Sequence, residues 1–423
     1  MDGLVSSRLS LVLLAAAAVM VCACEPISLS NMTGGSHGEE DGGHHLDEEG
    51  DGGSDGGGDG GSEDIPPLGP DGVDRRMTAW GPCIGGWQSR TALALGTLAN
   101  PDFGLDADGE AYFVEYGADL ARVVTTKPWK KMARIPWMGM YPWIGGVRVD
   151  AEGDVHVALS PQFDNETGSV PTYFYENKQG QWTSNRLSGA WIQDFDMDSQ
   201  GNLHALVMLP VGSFPLRHVH GPPGTPLVND EPFVVLQNRD RMHSMRVDAQ
   251  GHAHVVYEYT AIPRMSVLNY ATNASGAWVT EQVTSSGRFA QIAVSSEGVP
   301  YIMWGDGAAV FLAVRRGKND WVTTQAGPEL GLLGAMLVTG SGTVHMLQES
   351  GTNLNYWVRS ERGWEKTTLL QAEKTPFGNP FGASHLEVDK QGHVHAMYAV
   401  YVEGLVNGSP GMLKRIDYSR QCQ

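Results

Sequence analysis

The chain has 423 residues, 41% apolar and 18% charged, with 29 Lys and Arg against 48 Asp and Glu. That much apolar material excludes global disorder and allows a large core. The formal charge of −19 excludes the basic footprint that nucleic-acid binding needs, so no nucleic-acid partner is expected. The charge is uneven: residues 1–76 hold 15 acids and 3 bases, which leaves the remainder only mildly acidic.

Residues 1–23 read as a secretory signal. Arg8 supplies the leading charge, and the apolar stretch 9–21 is too short to span a membrane. The stretch ends Val21-Cys22-Ala23-Cys24. An aliphatic residue, a tolerated one, a small one and then cysteine resembles the bacterial lipobox, whose cysteine is diacylated. The resemblance implies lipidation of Cys24, because modification of Cys22 would put Val21 where a small residue is needed. It implies a bacterial lipoprotein with a membrane partner through its acyl anchor, on the periplasmic face or outer surface of the envelope. An ordinary signal peptide cut nearby is the alternative. Residues 24–76 are rich in Gly, Asp and Glu and hold almost no large apolar side chains. Such a segment cannot offset its ordering entropy, so a disordered tether is expected, roughly 40 Å in root-mean-square span. Its His37, His44 and His45 read as solvated spacer rather than as a loose cation site.

From residue 77 to 423 a repeat dominates. An apolar strand end leads into Asp-x-x-Gly, then two residues, then His or Tyr, then apolar alternation. The copies are 105–116, 149–159, 197–207, 247–257, 294–304, 338–348 and 388–398. Their turn glycines, from Gly109 to Gly392, are spaced 44, 48, 50, 47, 44 and 50 residues apart. Seven copies at that period predict an all-β fold, a seven-bladed β-propeller with four-stranded antiparallel blades. Glycine supplies the positive φ of each hairpin, and Asp can accept turn N–H groups. Trp182, Trp278, Trp321 and Trp364 recur at one slot, opening a last strand, and read as packing. The seventh copy lacks that strand. GGWQSRTAL (85–93) has its pattern, so the last blade is expected to borrow its outer strand from the N-terminal side. With Cys22 removed and Cys24 lipidated as the lipobox implies, Cys83 and Cys422 remain to form a disulfide across this closure.

The D-x-x-G-x-x-[HY] turn resembles the repeats of NHL-like and BNR-like extracellular propellers, over roughly residues 77–423. It is not the sialidase Asp-box, in which Gly follows Asp by two positions, and this argues against sialidase activity. The resemblance implies the fold and leaves function open, because propellers host lectins, lyases, hydrolases and scaffolds.

First strands of propeller blades line the central channel. Two residues before the turn Asp stand Gly104, Arg148, Asp196, Arg246, Ala293, Leu337 and Glu387; four before it stand Asp102, Gly146, Asp194, Ser244, Gln291, Ala335 and His385. The columns between are apolar, so these two face the channel. Arg148, Asp194, Asp196, Arg246, Gln291, His385 and Glu387 are the channel candidates, either a charge-paired wall or a pocket for a carboxylate or sugar. Trp137, Tyr141, Trp143, Trp191 and Phe381 are expected on the upper rim. His156, His204, His254, His345 and His395 fill the repeat slot and read as structural. The excursion 209–232, with His218 and His220, reads as a rim loop. No metal site and no cofactor is expected. A monomeric binding module for a glycan or an envelope protein is the favoured role. A polysaccharide lyase or glycosidase at the channel mouth and a purely structural envelope scaffold are the alternatives.

Overall fold

The computed structural model describes residues 79–93, 98–116, 121–126, 135–136, 142–161, 171–209, 215–230, 232–235, 243–262, 265–306, 309–326, 332–360, 362–375, 380–406 and 409–422. They belong to one compact unit, Asp64–Gln423. The expected signal, Cys24, the tether, Trp137 and Tyr141 lie outside the described residues. Among those described, no helix is long and apolar enough to cross a membrane.

The described residues form seven antiparallel sheets. Blade 1 is Leu98–Leu105, Ala111–Tyr116 and Ala121–Thr125. Its fourth position is marked by Ile135, whose N–H donates to the Ala121 carbonyl at 3.0 Å. Blade 2 is Pro142–Val149, Val155–Pro161, Thr172–Lys178 and Gln181–Leu187. Blade 3 is Trp191–Met197, Leu203–Met208 and Pro215–Gly221, with Val228–Asn229 and Val234–Val235 along its outer edge. Blade 4 is His243–Val247, Ala253–Ile262, Met265–Thr272 and Val279–Thr284; blade 5 is Arg288–Val294, Pro300–Gly305, Val310–Gly317 and Asp320–Gln325. Blade 6 is Leu332–Val338, Val344–Ser350, Asn353–Ser360 and Gly363–Gln371. Blade 7 is Phe381–Val388, Val394–Val406 and Ser409–Gln421, completed by Trp87–Leu93. Each first strand packs on the first strand of the next blade, and blade 7 packs on blade 1, so the ring is closed.

The core lies between sheets. Phe103, Val147, Phe195, Met245, Ile292, Met336 and Leu386, one from each first strand, are all buried. Each such side chain contributes roughly 1.5–3 kcal/mol by leaving water. The Trp slot packs as expected: Trp182 meets Tyr175 edge-on at 6.3 Å, and Trp321 meets Tyr270 at 5.3 Å.

The repeat turn has one chemistry in the five blades that carry Asp there; blades 5 and 6 have Ser295 and Thr339 instead. One oxygen of the turn Asp accepts two turn N–H groups, as Asp150 does from Glu152 (3.1 Å) and Asp154 (2.8 Å). The other oxygen meets the slot side chain six residues on: Tyr112 for Asp106, His156 for Asp150, His254 for Asp248 and His395 for Asp389. In these blades His and Tyr serve alike, because each can donate one N–H or O–H to a carboxylate in a buried position. The far nitrogen of His254, His345 and His395 then meets a tyrosine hydroxyl on the third strand, Tyr270, Tyr356 and Tyr418.

Closure is as the repeat implied. Trp87 pairs with Gln421 and Thr91 with Asp417, antiparallel, and Cys83 is bonded to Cys422 across 339 residues of sequence. The Cys422 N–H donates to the Gly86 carbonyl at 2.9 Å. One expectation is corrected. Residues 215–221 are the third strand of blade 3, paired from Leu203↔Gly221 to Met208↔Leu216, and not a rim loop. Pro222, Pro223 and Pro226 follow this strand and cannot donate to a ladder, so the outer edge of this blade is two short pieces.

Candidate functional site

The channel columns form a belt of charge. His385 Nε2 lies 2.8 Å from Glu387 Oε1, and His385 Nδ1 lies 3.0 Å from Asp102 Oδ1. Arg148 sits between Asp102, at 3.4 Å from Nη1, and Asp196, at 3.1 Å from Nε. Arg246 Nη1 faces Asp194 Oδ2 at 3.7 Å. Six of the seven channel candidates therefore come together on blades 7, 2, 3 and 4. Gln291, on blade 5, makes no described bond to them. Asp102 is the member the candidate set omits; its place in the polar column was the available signal.

The same carboxylates tie blades. Asp102 accepts the Val147 N–H at 2.9 Å, Asp194 accepts Met245 N–H at 2.7 Å, and Asp196 accepts Val247 N–H at 2.9 Å. Each bond runs from one first strand to the next. Burial works against the Asp102 charge, yet His385, Arg148 and the Val147 N–H outweigh it and hold its carboxyl below the usual value. Asp194 goes the other way: burial dominates Arg246 and the Met245 N–H and pushes its carboxyl up. Burial also opposes the Arg148 charge, but Asp102 and Asp196 more than offset it and fix the guanidinium as a cation. A general base or an Arg clamp needs a free valence toward its ligand. Here both His385 nitrogens and Arg148 Nε and Nη1 are engaged by protein, so these groups tie neighbouring blades to one another.

The rim, where the first strands begin, is different. Trp143 is 48% exposed and meets the half-buried Trp191 edge-to-face, with centroids 5.5 Å apart. The approach of blade 2 to blade 3 below them needs glycine: a Cβ on Gly145 would lie 2.1 Å from Ile192 Cγ1. First strands bulge here, between Ile144 and Gly146 in blade 2 and between Arg288 and Gln291 in blade 5. Bulges re-aim side chains at rims. Phe289 lies in the second of these bulges, is 44% exposed, and holds a left-handed backbone, φ 57°, rare for a bulky residue. Its N–H donates to Glu258 at 2.7 Å, which holds that conformation. Sequence reasoning missed Phe289, because no local pattern marks an aromatic residue with positive φ. Phe381, expected on the rim, is 4% exposed and belongs to the core between blades 6 and 7, where it pairs with Val400.

The slot histidines are buried and bonded. Burial lowers the His345 pKa to about 4, and burial with the nearby His218 lowers that of His204 to about 4. In blade 3, His204 has His218 where blades 4, 6 and 7 place tyrosine, with the two nitrogens 2.9 Å apart. His218, His220 and Asp230 offer ligand atoms all within 4.8 Å of one another. Elsewhere, a cavity of about 520 Å³ opens between blades 5 and 6, lined by Tyr301, Arg316, Ser341 and Arg359 among others. None of the described channel or rim candidates lines it.

No protein-family model matches the chain, and no curated protein matches it in sequence. Solved structures are similar in fold. A polysaccharide lyase, ulvan lyase, superposes with a TM-score of 0.50 at 12% identity, over 77% of this chain and 94% of its own. Streptogramin B lyase gives 0.47 at 11% identity, over 80% and 99%. The SapL1 lectin in complex with alpha methyl fucoside gives 0.42 at 10%, over 67% and 98%. At such identities the likeness speaks for the fold alone, and the fold is a seven-bladed β-propeller.

Proposed function

We propose that the protein is an envelope-anchored binding module that takes a glycan on the rim around Trp143 and Trp191. One observation carries the reading: a tryptophan 48% exposed, braced edge-to-face by a second tryptophan, at the mouth of a closed ring. An indole face held at water offers a sugar ring a rigid apolar platform at low entropic cost. Phe289 adds a second exposed ring on the same rim, at a backbone conformation of the kind that clusters at ligand sites. The belt below supports binding over turnover, since its acids and bases are spent on one another and on backbone N–H groups. Diacylation of Cys24 would hold the module at the membrane, and the tether would give the rim its reach.

A glycan array probed with the full chain tests the reading. Trp143→Ala should weaken binding to every positive glycan by about tenfold, the loss of roughly 1.4 kcal/mol of aromatic contact. Binding that survives this change intact would refute the glycan reading. Release of an unsaturated sugar product would establish the lyase alternative, with His385 as its base. Capture of an envelope protein, lost with Trp143→Ala and without any glycan signal, would move the rim to a protein partner.

A further inference from the structure

Blade 3 carries a line of four polar groups that no other blade shows among the described residues. Asp198 Oδ2 lies 3.4 Å from His204 Nε2, His204 Nδ1 lies 2.9 Å from His218 Nε2, and His218 Nδ1 lies 2.9 Å from Asp230 Oδ2. Both histidines are buried. Three links need three hydrogens between them, but two neutral imidazoles carry one N–H each. Blade 4 shows the balanced version. There Asp248–His254–Tyr270 has two links, and the His N–H and the Tyr O–H fill both. Replacing the tyrosine by His218 and adding Asp230 leaves blade 3 one positive centre short.

The geometry points to a transition-metal site of the zinc type at His218, His220 and Asp230, with the ion as that missing centre. His218 and His220 alternate along the third strand of blade 3, so both rings fall on one face, stacked with centroids 5.0 Å apart. Asp230 is delivered by the outer edge: Val219 pairs with Asn229, and the Asp230 N–H donates to the His218 carbonyl at 3.0 Å. Asp230 presents one oxygen to each histidine, 2.9 Å from His218 Nδ1 and 3.5 Å from His220 Nε2. A tetrahedral ion about 2.0–2.1 Å from each donor sets donor pairs about 3.3 Å apart, which lies between these two distances. Two imidazoles and a carboxylate are the donor set of three-ligand zinc sites, whose fourth position is open.

The surroundings are those of a supported site. His218, 1% exposed, turns its other nitrogen to His204, which leans on Asp198; such outer partners fix the tautomer and orientation of a metal-bound histidine. Trp278 Nε1 donates to Asp230 Oδ2 at 3.1 Å and orients the carboxylate. His220, 36% exposed, is the side from which an ion and its water arrive.

The test uses the full chain carrying His37→Ala, His44→Ala and His45→Ala, so that the tether binds no metal. Equilibrium dialysis against Zn²⁺ should give one equivalent per chain. At a hundredfold excess over its dissociation constant, Zn²⁺ should raise the melting temperature by about 3–4 °C. Co²⁺ should give the visible absorption of a tetrahedral nitrogen–oxygen site. His220→Ala, at a half-exposed position, should fold and lose the Co²⁺ spectrum. His204→Gln should weaken Zn²⁺ binding about 10–100-fold without abolishing it. Absence of saturable binding, or equal affinity in His220→Ala and Asp230→Asn, would overturn the site and assign the missing centre to an added proton.

Discussion

Replacing Asp102 by Asn removes one negative charge from the belt and almost no volume. The amide oxygen can still accept the Val147 N–H, now 2.9 Å from the carboxylate. The lost charge is the one 3.4 Å from Arg148 and 3.0 Å from His385. Breaking a buried pair costs about 3–5 kcal/mol. Arg148 keeps Asp196, so the lower figure, about 3 kcal/mol, applies. Unfolding entropy near 2.1 cal/mol/K per residue, over the roughly 350 residues of the repeat region, makes that a fall of about 4 °C in melting temperature. Asp194→Asn in the same column of blade 3 is the control. Burial raises the Asp194 carboxyl pKa, so its charge is held there at a cost. Its loss should change stability by no more than about 1 kcal/mol. The pH signs differ too. The lowered Asp102 pKa contributes stability present above the unfolded carboxylate value and lost as pH falls through the folded one. The raised Asp194 pKa favours the fold at low pH, and that contribution is lost as pH rises through its folded value. Thermal and denaturant unfolding of both variants from pH 3 to pH 7 is the assay. Asp194→Asn proving as destabilising as Asp102→Asn would refute the reasoning.

Other outcomes follow from the clasp, the slot and the anchor. Cys422→Ser, or reduction of the native chain, releases a loop closed across 339 residues. The chain-entropy account puts that at about 4–6 kcal/mol, or roughly 6–8 °C; an unchanged melting temperature would contradict it. Burial lowers the His345 pKa to about 4, so its contribution is present above the unfolded value near 6.5 and is lost as pH falls from there toward 4. His345→Gln should remove one proton from that dependence, a slope change of about 1.4 kcal/mol per pH unit, read by denaturant titration at each pH. Cys24→Ser should move the protein from the membrane to the soluble fraction; membrane retention would refute lipid anchoring.

Much of the architecture could be read from residues 105–116 and their six copies, because a turn Gly and a buried His or Tyr recur at fixed spacing, and in five of the seven copies a turn Asp joins them in one hydrogen-bonded unit. The borrowed strand could be read as well, since Trp87 repeats the slot of Trp364. The polar columns placed Arg148 and Asp196 correctly on neighbouring first strands. What the columns could not carry was pairing. Asp102 looked like any polar residue until its distance to three partners was known. Rim geometry was less legible still. Phe381 and Trp143 both lie at the start of first strands, yet one packs between blades 6 and 7 and the other faces water. Nor does spacing bring Asp230 to His218, since eleven residues, three of them prolines, intervene.

Calorimetric titration of the native chain, Trp143→Ala and Asp102→Asn with a glycan selected on the array tests the division between rim and belt most directly. Trp143→Ala should bind about tenfold more weakly at an unchanged melting temperature, while Asp102→Asn should melt lower and bind as the native chain does. Full binding by Trp143→Ala together with loss of binding in Asp102→Asn would contradict the account and put the ligand in the channel.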